Sequence, residues 1–153
     1  MTTCILGVDP GVSGAIAFYW QEAPHRVIAE DFPTAGGGID AIALADRIRQ
    51  LTPELAIIEF VASRPGMGAP SVFKFGRAAG VVDGILAALC IPVRFVTPTV
   101  WKKYWRLTKD KEKSRALAIQ IFPACANHFS RKKDHNRAEA ALIARYGAEV
   151  ICK

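Results

Sequence analysis

The chain has 153 residues, of which 51% are apolar and 22% are charged, which excludes a disordered chain and fits one domain over residues 1–153. The most apolar run, residues 78–93, contains Asp83, two glycines and Pro92, which excludes a membrane-spanning helix. The net charge of +6 is uneven, because residues 97–153 carry thirteen basic and five acidic side chains, whereas residues 1–96 carry seven and nine.

The pattern of apolar residues and turn formers predicts five strands and five helices. Apolar, β-branched runs that end in Pro, Gly or charged residues are typical of buried strands, and apolar residues three or four apart are typical of helices. In chain order, the predicted elements are strands 5–8, 15–20 and 26–31, a loop at 33–38, helix 39–51, strand 55–58, a loop at 62–70, helix 71–90, strand 92–96, helix 99–106 with Thr99 as its N-cap, helix 112–122, a polar connector at 124–133 and helix 134–148. This order predicts an α/β fold in which an antiparallel hairpin joins a mostly parallel sheet.

Two acidic residues close predicted strands. Asp9 follows strand 5–8 and precedes a Pro-Gly turn, and Glu59 follows strand 55–58 and precedes a long loop. Open α/β sheets place their ligand sites at the carboxyl ends of strands, so the two carboxylates converge if these strands are neighbours. Taken singly, Asp9 is better explained as an Asx-turn residue, and Glu59 is consistent with a solvent-exposed strand end.

The last predicted helix adds two more acids. Asp134 lies at its start, where an acid also favours the helix dipole, and Glu139 is flanked by alanines on the side expected to face the sheet. His135 and Glu139 are i,i+4 neighbours, and Leu142 is among the apolar residues expected to pack on the sheet. We therefore expect the acidic side chains of this helix to lean over the strand ends.

Three or four carboxylates without a zinc-type Cys/His spacing suit Mg²⁺ or Mn²⁺, which prefer oxygen ligands. Carboxylates brought together raise each other's pKa unless a cation lies between them, so the arrangement costs stability unless it serves a metal. Two such ions about 4 Å apart can activate water and stabilise the leaving oxygen of a phosphodiester. The acids therefore point to metal-assisted phosphodiester chemistry.

The C-terminal third also holds candidate nucleic-acid contacts. Trp101, Tyr104 and Trp105 lie at i, i+3 and i+4 among basic residues, and such aromatics can stack on unpaired bases, although packing against the core is the favoured interpretation for Trp101. A basic region is typical of nucleic-acid binding but is also consistent with a soluble basic protein that has no such partner. The candidate phosphate contacts are Lys102, Lys103, Lys109, Lys111, Lys113, Arg115, Arg131, Lys132 and Lys133.

Gly76, Gly80 and Gly84 recur every four residues along predicted helix 71–90. Each glycine costs a helix about 1 kcal/mol relative to alanine, so we expect close approach of another backbone to compensate. That backbone belongs either to the protein's own sheet or to the same helix of a second subunit. A twofold dimer would present two equivalent sites to one substrate.

Five segments, in order along the chain, resemble the RuvC family of Holliday junction resolvases. They are ILGVDPGVSGAIAF, AIIEFV, SVFKFGRAAGVVDGILAAL, VTPTVWKK and KDHNRAEAALIARYG. The resemblance is closest to the branch with bacterial, phage and plastid members. It implies an RNase H-like fold, with a mixed five-stranded sheet flanked by helices, in a homodimer that uses two divalent metal ions per site to cut four-way DNA junctions. The resemblance also implies a protein encoded by a bacterium or by a phage in a bacterial host. The expectation of a cytoplasmic location comes from the four widely spaced cysteines, which form no CxxC pair, and from a first segment that lacks the pattern of a signal peptide.

The resemblance further implies the roles of individual acids. Asp9, Glu59 and Glu139 match the family's acids of the first strand, the fourth strand and the last helix. Bacterial resolvases place the remaining acid where this chain has Asn136, so the resemblance makes Asp134 the fourth ligand. The implied cofactors are two Mg²⁺ or Mn²⁺ ions held by these four carboxylates.

Two further residues take implied roles. His135 is the alternative to Asp134 as the fourth ligand, or a group that assists catalysis. Bacterial resolvases carry an aromatic residue that wedges the junction after the second acid, and the candidates here are Phe60, which adjoins that acid, and Phe73, which begins the next helix. Of the two, Phe73 is assigned to DNA binding.

The residues leave three other functions open. The first is another RNase H-like nuclease that cuts RNA–DNA hybrids, structured RNA or branched phage DNA. The second is a non-catalytic junction-binding module, against which the intact set of acids argues. The third is an actin-like phosphotransferase, which shares the Asp-Pro-Gly turn but has a two-domain fold for which 153 residues are too few.

Overall fold

Seven strands and five α-helices lie within residues 2–153, the part of the chain that the computed structural model describes. The strands are β1 (Cys4–Asp9), β2 (Ala15–Trp20), β3 (Val27–Asp31), β4 (Thr34–Ala35), β5 (Gly38–Ile39), β6 (Leu55–Glu59) and β7 (Val93–Val96). The helices are α1 (Ala41–Leu51), α2 (Ala69–Ala88), α3 (Pro98–Tyr104), α4 (Lys111–Ile121) and α5 (His135–Tyr146), with 3₁₀ turns at Pro123–Phe129 and Lys132–Asp134 and a π turn at Gly147–Ile151.

Five strands form one mixed sheet in the order β3-β2-β1-β6-β7. β2 pairs antiparallel with β1 and β3, whereas β6 runs parallel to β1 and β7. The short strands β4 and β5 form a separate hairpin where the sequence predicted only a loop. The predicted α/β fold with a mixed five-stranded sheet flanked by helices is confirmed.

Helices cover both faces of the sheet, so the alternation of side chains along each strand supplies two cores. On one face, Val8 and Ile58 pack with residues of α1 and α2. On the other face, Ile5 and Ile57 pack with residues of α3, α4 and α5. Burial on both faces explains why β1 and β2 are apolar along almost their whole length.

Helix α5 lies against the middle of β1. A Cβ atom at Gly7 would overlap the carbonyl oxygen of Ala140, so this close approach requires glycine in the strand. Asn136 Nδ2 donates a hydrogen bond of 2.6 Å to the carbonyl oxygen of Ser13, which lies between β1 and β2. The first turn of α5 therefore lies at the carboxyl end of β1.

All five helices start one or two residues from the predicted position, and two of these differences bear on the site. Helix α3 begins at Pro98, with Thr97 instead of Thr99 as the N-cap, because proline fits the first turn, where no backbone N–H is required. Helix α5 begins at His135 instead of Asp134, because the preceding residues form a 3₁₀ turn. Asp134 consequently lies before the helix and not on its first turn.

The glycines of α2 face open space. A Cβ atom at Gly76, Gly80 or Gly84 would meet no atom within 4 Å beyond the helix's own backbone. The alternative in which they pack against the protein's own sheet is therefore wrong, and α2 instead buries Val82 and Leu86 on the sheet. Within residues 2–153, neither α2 nor any other helix is long and apolar enough to cross a membrane.

Candidate active site

Asp9 and Glu59 end the two parallel strands at the centre of the sheet. The register pairs Val8 with Ile58, so the next residue along each strand is an acid. Neighbouring strands lie about 4.8 Å apart, and successive side chains point to opposite faces. Because Val8 and Ile58 point toward α1 and α2, both acids point toward α5. The structure thus brings these two predicted site residues to one edge and one face of the sheet.

Glu139 of α5 lies near Asp9 and Glu59. It directly precedes Ala140, whose carbonyl oxygen approaches Gly7 of β1. Asp9, Glu59 and Glu139 are 9%, 9% and 6% exposed, and we call these three residues the acidic cluster. Burial raises the pKa of Asp9 well above its usual range, and the charges of Glu139 and Glu59 raise it further. Burial also raises the pKa of Glu59, and the charge of Glu139 adds to that effect.

Lys102 contacts the acidic cluster, although the sequence predicted it as a DNA contact. Its Nζ is 3.4 Å from Oε1 of Glu139, and its side chain is 22% exposed. Burial and the two neighbouring acids raise the pKa of Asp9, whereas the charges of Lys111 and Lys102 lower it. The site therefore contains three carboxylates and a lysine counter-ion, with a second lysine close enough to influence Asp9.

Two buried polar side chains that were not predicted to belong to the site also contact the acidic cluster. Trp101 Nε1 donates to Oε2 of Glu59 at 2.7 Å, and Ser114 Oγ donates to Oε1 of Glu139 at 3.4 Å. A signal for Ser114 exists, because it is a polar residue at an inward position, four residues before the buried Ala118. No local pattern reveals the Trp101 contact, which joins residues 42 positions apart.

Asp134 does not join the acidic cluster, which corrects its predicted placement as the fourth acid of the site. Its side chain is fully buried, and Oδ1 accepts hydrogen bonds from Nη2 and Nε of Arg131 at 2.7 and 2.9 Å. Oδ2 accepts the backbone N–H of Arg131 at 2.7 Å. Burial raises the pKa of Asp134, but the hydrogen bonds from Arg131 outweigh it and hold this pKa below its usual value. Because Asp134 precedes α5, its side chain turns back over the 3₁₀ turn.

His135 shares the face of α5 that carries Glu139, one helical turn earlier. Its Nδ1 lies 3.2 Å from the carbonyl oxygen of Lys132. A carbonyl oxygen only accepts, so Nδ1 is the donor in this contact, and in the neutral imidazole Nε2 is then the nitrogen that carries the lone pair.

Apart from Lys102, the predicted phosphate contacts fall into two groups. Arg115 and Arg131 are engaged within the protein: Arg115 pairs with Glu112 at 2.8 Å, and Arg131 contacts Asp31 at 3.2 Å as well as Asp134. The others apart from Lys102 are exposed and form no ion pair within residues 2–153. They are Lys103, Lys109, Lys111, Lys113, Lys132 and Lys133.

Two of the three aromatic residues predicted for base stacking pack within the protein, whereas Tyr104 remains 43% exposed. Trp101 is fully buried, in agreement with the favoured interpretation. Trp105 Nε1 donates to the carbonyl oxygen of Leu142 at 3.0 Å, and the ring of Tyr104 packs edge-to-face on it at 4.9 Å. These rings attach α3 to α5.

Exposed aromatic residues lie elsewhere around the site. Phe60, next to Glu59, is 53% exposed and packs edge-to-face on Phe95 at 6.2 Å. Both rings line a shallow groove of about 200 Å³ that also includes Pro10 and Glu59. Phe73 is 70% exposed in the first half of α2. Its predicted role in DNA binding is compatible with this exposure.

The acidic cluster fits a hard divalent cation in its donors and its charge. Its ligands are all carboxylate oxygens, and no group within residues 2–153 donates a hydrogen bond to the Asp9 carboxylate. A cation between like charges would offset the repulsion that, added to burial, raises the pKa of Asp9. In the described part of the chain, no three or more His, Cys, Asp or Glu side chains already surround a common metal position.

Comparison with known proteins identifies relatives by structure only. No family model and no curated protein matches the sequence. The structure resembles RuvC of Thermus thermophilus in complex with a Holliday junction substrate, with a TM-score of 0.65 and 14% identity over 96% of this chain and 95% of that one. It resembles the yeast mitochondrial Holliday junction resolvase (TM-score 0.57, 15% identity, 93% and 77% coverage) and that of fowlpox virus (0.55, 14%, 97% and 100%). The chain therefore has the RNase H-like fold of RuvC.

Proposed function

We propose that this chain, which shares the fold of the RuvC-type resolvases, is itself a nuclease of that family that resolves four-way DNA junctions. The reaction is hydrolysis of one phosphodiester bond in each of two strands. The observation that carries the proposal is the meeting of Asp9, Glu59 and Glu139 at one edge of the sheet. Support comes from a fold shared over 96% of the chain with a protein whose structure contains a Holliday junction.

We assign two Mg²⁺ or Mn²⁺ ions to the acidic cluster, with His135 instead of Asp134 as the fourth ligand. Both oxygens of Asp134 accept hydrogen bonds from Arg131, whereas Nε2 of His135 is a lone-pair donor. A histidine that donates its other N–H to a backbone carbonyl is a common arrangement among metal ligands. When bound, such ions supply Lewis acidity, which makes water a stronger nucleophile and stabilises charge on the leaving oxygen.

The lysines near the acidic cluster bind the substrate's phosphate. A phosphodiester that approaches three carboxylates is repelled by their negative charge. Lys102 and Lys111 offset part of this charge, since both lower the pKa of Asp9. Lys102 is tethered to Oε1 of Glu139, so its ammonium group is held at the site before the substrate arrives. We assign to it the orientation of the scissile phosphate by a charge-assisted hydrogen bond.

The branched-DNA partner is supported by the exposed lysines around the site. The charge of Lys111 lowers the pKa of Asp9, and the charges of Lys132 and His135 lower the pKa of Glu112, the residue next to Lys111 in the chain. We call the surface that carries these groups the rim of the acidic cluster. Lysines at such positions neutralise phosphates and release condensed counterions. We propose that the arms of the junction lie across this rim.

We propose a homodimer formed through α2. The stripe of Gly76, Gly80 and Gly84 faces open space and would allow the same helix of a second subunit to approach closely. Exposed Val72, four residues before Gly76 on the same helix, adds apolar surface for such a contact. Two subunits related by a twofold axis present two sites, which paired cleavage of a fourfold-branched substrate requires.

One cleavage panel tests the proposed function, with a four-way junction, a Y-fork, a linear duplex and an RNA–DNA hybrid in Mg²⁺. We expect paired cuts in the junction and little cleavage of the other substrates. Preferential cleavage of the hybrid would favour another RNase H-like nuclease. Tight junction binding with no turnover in Mg²⁺ or Mn²⁺ would favour a non-catalytic binding module.

A further inference from the structure

Side chains of the short helix α3 contact two of the three residues of the acidic cluster. Consecutive residues of α3 reach two different elements, since Trp101 contacts Glu59 at the end of β6 and Lys102 contacts Glu139 on α5. The lysine contact is an ion pair of 3.4 Å at a partly exposed side chain. The tryptophan contact is shorter, at 2.7 Å, and lies in the protein interior.

The Trp101 ring is fixed by packing. It is fully buried and belongs to the core between the sheet and α5. A buried indole N–H requires an acceptor, and here the acceptor is Oε2 of Glu59, a charged group. An immobile ring therefore determines where this oxygen lies, while Oε1 of Glu59 accepts no hydrogen bond within the described residues.

We propose that Trp101 is a positioning residue that sets the orientation of Glu59 for binding a divalent cation. Glutamate has three rotatable side-chain bonds, and a free carboxylate at this strand end would sample several rotamers. A donor fixed in the core selects one of them before the cation arrives. Loss of such an outer-shell partner typically lowers metal affinity by about 10–100-fold. The inference rests on the proposed function for its catalytic meaning, but its test does not require DNA cleavage.

The chain supplies a matched control on the same helix. Trp105 Nε1 also donates one hydrogen bond, of 3.0 Å, but to the carbonyl oxygen of Leu142. Trp101→Phe and Trp105→Phe each remove one indole donor and leave an aromatic ring. Only the first substitution removes a donor to an acid of the cluster, so a general packing effect would appear in both variants.

The first measurement is the affinity for Mg²⁺ alone, determined by calorimetry without DNA. We expect Trp101→Phe to raise the dissociation constant about tenfold or more and Trp105→Phe to change it less than twofold. Equal dissociation constants for the two variants would overturn the inference. If the wild type binds Mg²⁺ but cuts no junction, the proposed function fails while this inference stands.

The second measurement uses the indole N–H signals in a ¹⁵N spectrum of the three tryptophans and does not depend on Trp101→Phe folding. Saturation with Mg²⁺ should shift the Trp101 signal and leave those of Trp20 and Trp105 in place. In Glu59→Gln, which keeps the side-chain volume, Mg²⁺ should no longer shift it. A Trp101 signal that is unchanged by Mg²⁺ in the wild-type protein would also overturn the inference.

Discussion

Arg131 and Asp134, three residues apart, form a local ion pair in which Oδ1 of the buried carboxylate accepts from Nη2 and Nε at 2.7 and 2.9 Å. This pair lies in the turn that leads into α5, the helix that presents Glu139. Because of this pair, the environment of Asp134 differs from that of Asp9 in the acidic cluster. Burial and, to a smaller extent, the neighbouring acids raise the pKa of Asp9, whereas arginine hydrogen bonds lower the pKa of Asp134 against the effect of burial.

Asp134→Asn should weaken the fold but spare catalysis. The amide keeps the shape and can still accept the backbone N–H of Arg131, but the ion pair is lost from a fully buried side chain. We expect a thermal unfolding midpoint several degrees lower and junction cleavage near the wild-type rate at temperatures well below it. Glu139→Gln is the matched comparison and should abolish cleavage with little effect on the midpoint. A loss of cleavage in Asp134→Asn equal to that in Glu139→Gln would restore Asp134 to the site.

Asp31→Asn should show how the stabilisation by the ion pair between Asp31 and Arg137 depends on pH. Arg137 donates to both oxygens of Asp31 at 2.9 and 3.0 Å and lowers its pKa, so this interaction stabilises the fold above the usual pKa of aspartate and is lost as pH falls through the lowered value. The side chain is 46% exposed, so we expect a deficit of about 0.5–1 kcal/mol at pH 6. Urea unfolding of the wild type and of Asp31→Asn between pH 6 and pH 2.5 measures this difference in the free energy of unfolding. The deficit should shrink below about pH 4, and one that grows with acidity would contradict the assignment.

Lysine and arginine substitutions should separate DNA contacts from structural ion pairs. Lys109→Gln and Lys113→Gln remove exposed charges, so each should weaken junction binding and lower the slope of log Kd against log salt concentration by about one. Arg115→Gln removes a side chain bonded to Glu112 and to the carbonyl oxygen of Phe129, so it should lower thermal stability and leave the slope nearly unchanged. Salt titrations of junction binding without divalent metal provide the test. An unchanged slope in both lysine variants would show that Lys109 and Lys113 do not contact DNA phosphates.

Gly80→Leu should convert the proposed dimer into monomers. Leucine favours helix more than glycine does by roughly 1 kcal/mol, so the substitution does not weaken α2 itself. A Cβ atom at this position would meet nothing within 4 Å in residues 2–153 beyond the helix's own backbone, so the side chain starts in open space on the isolated subunit. Light scattering after size-exclusion chromatography should give a dimer mass for the wild type and a monomer mass for the variant. A monomeric wild type, or a dimeric variant, would remove α2 from the interface.

Sequence patterns were sufficient where a side chain's position follows from its place in a strand. Asp9 and Glu59 each end an apolar strand, so their meeting requires only that the strands be parallel neighbours, as they are. The alanines around Glu139 marked the side of α5 that faces the sheet. These features depend on the periodicity of one element at a time.

The patterns failed where the direction of a side chain depends on a partner. Asp134 is an acid near the start of the last helix, as a metal ligand would be, but its carboxylate accepts hydrogen bonds from the arginine three residues before it. That i,i+3 spacing was visible in the sequence and is typical of a local ion pair. The Trp101–Glu59 bond had no such signal, because it exists only once β6 and α3 are packed together.

Asp9→Asn tests the central claim most directly, because it removes one charge from the acidic cluster at nearly constant volume. The measurement compares binding and nicking of a four-way junction by the wild type and the variant, with binding measured without divalent metal and nicking in Mg²⁺. We predict that the variant binds the junction as tightly as the wild type does and produces no nicks. Undiminished nicking by Asp9→Asn would contradict the assignment of the chemistry to this site.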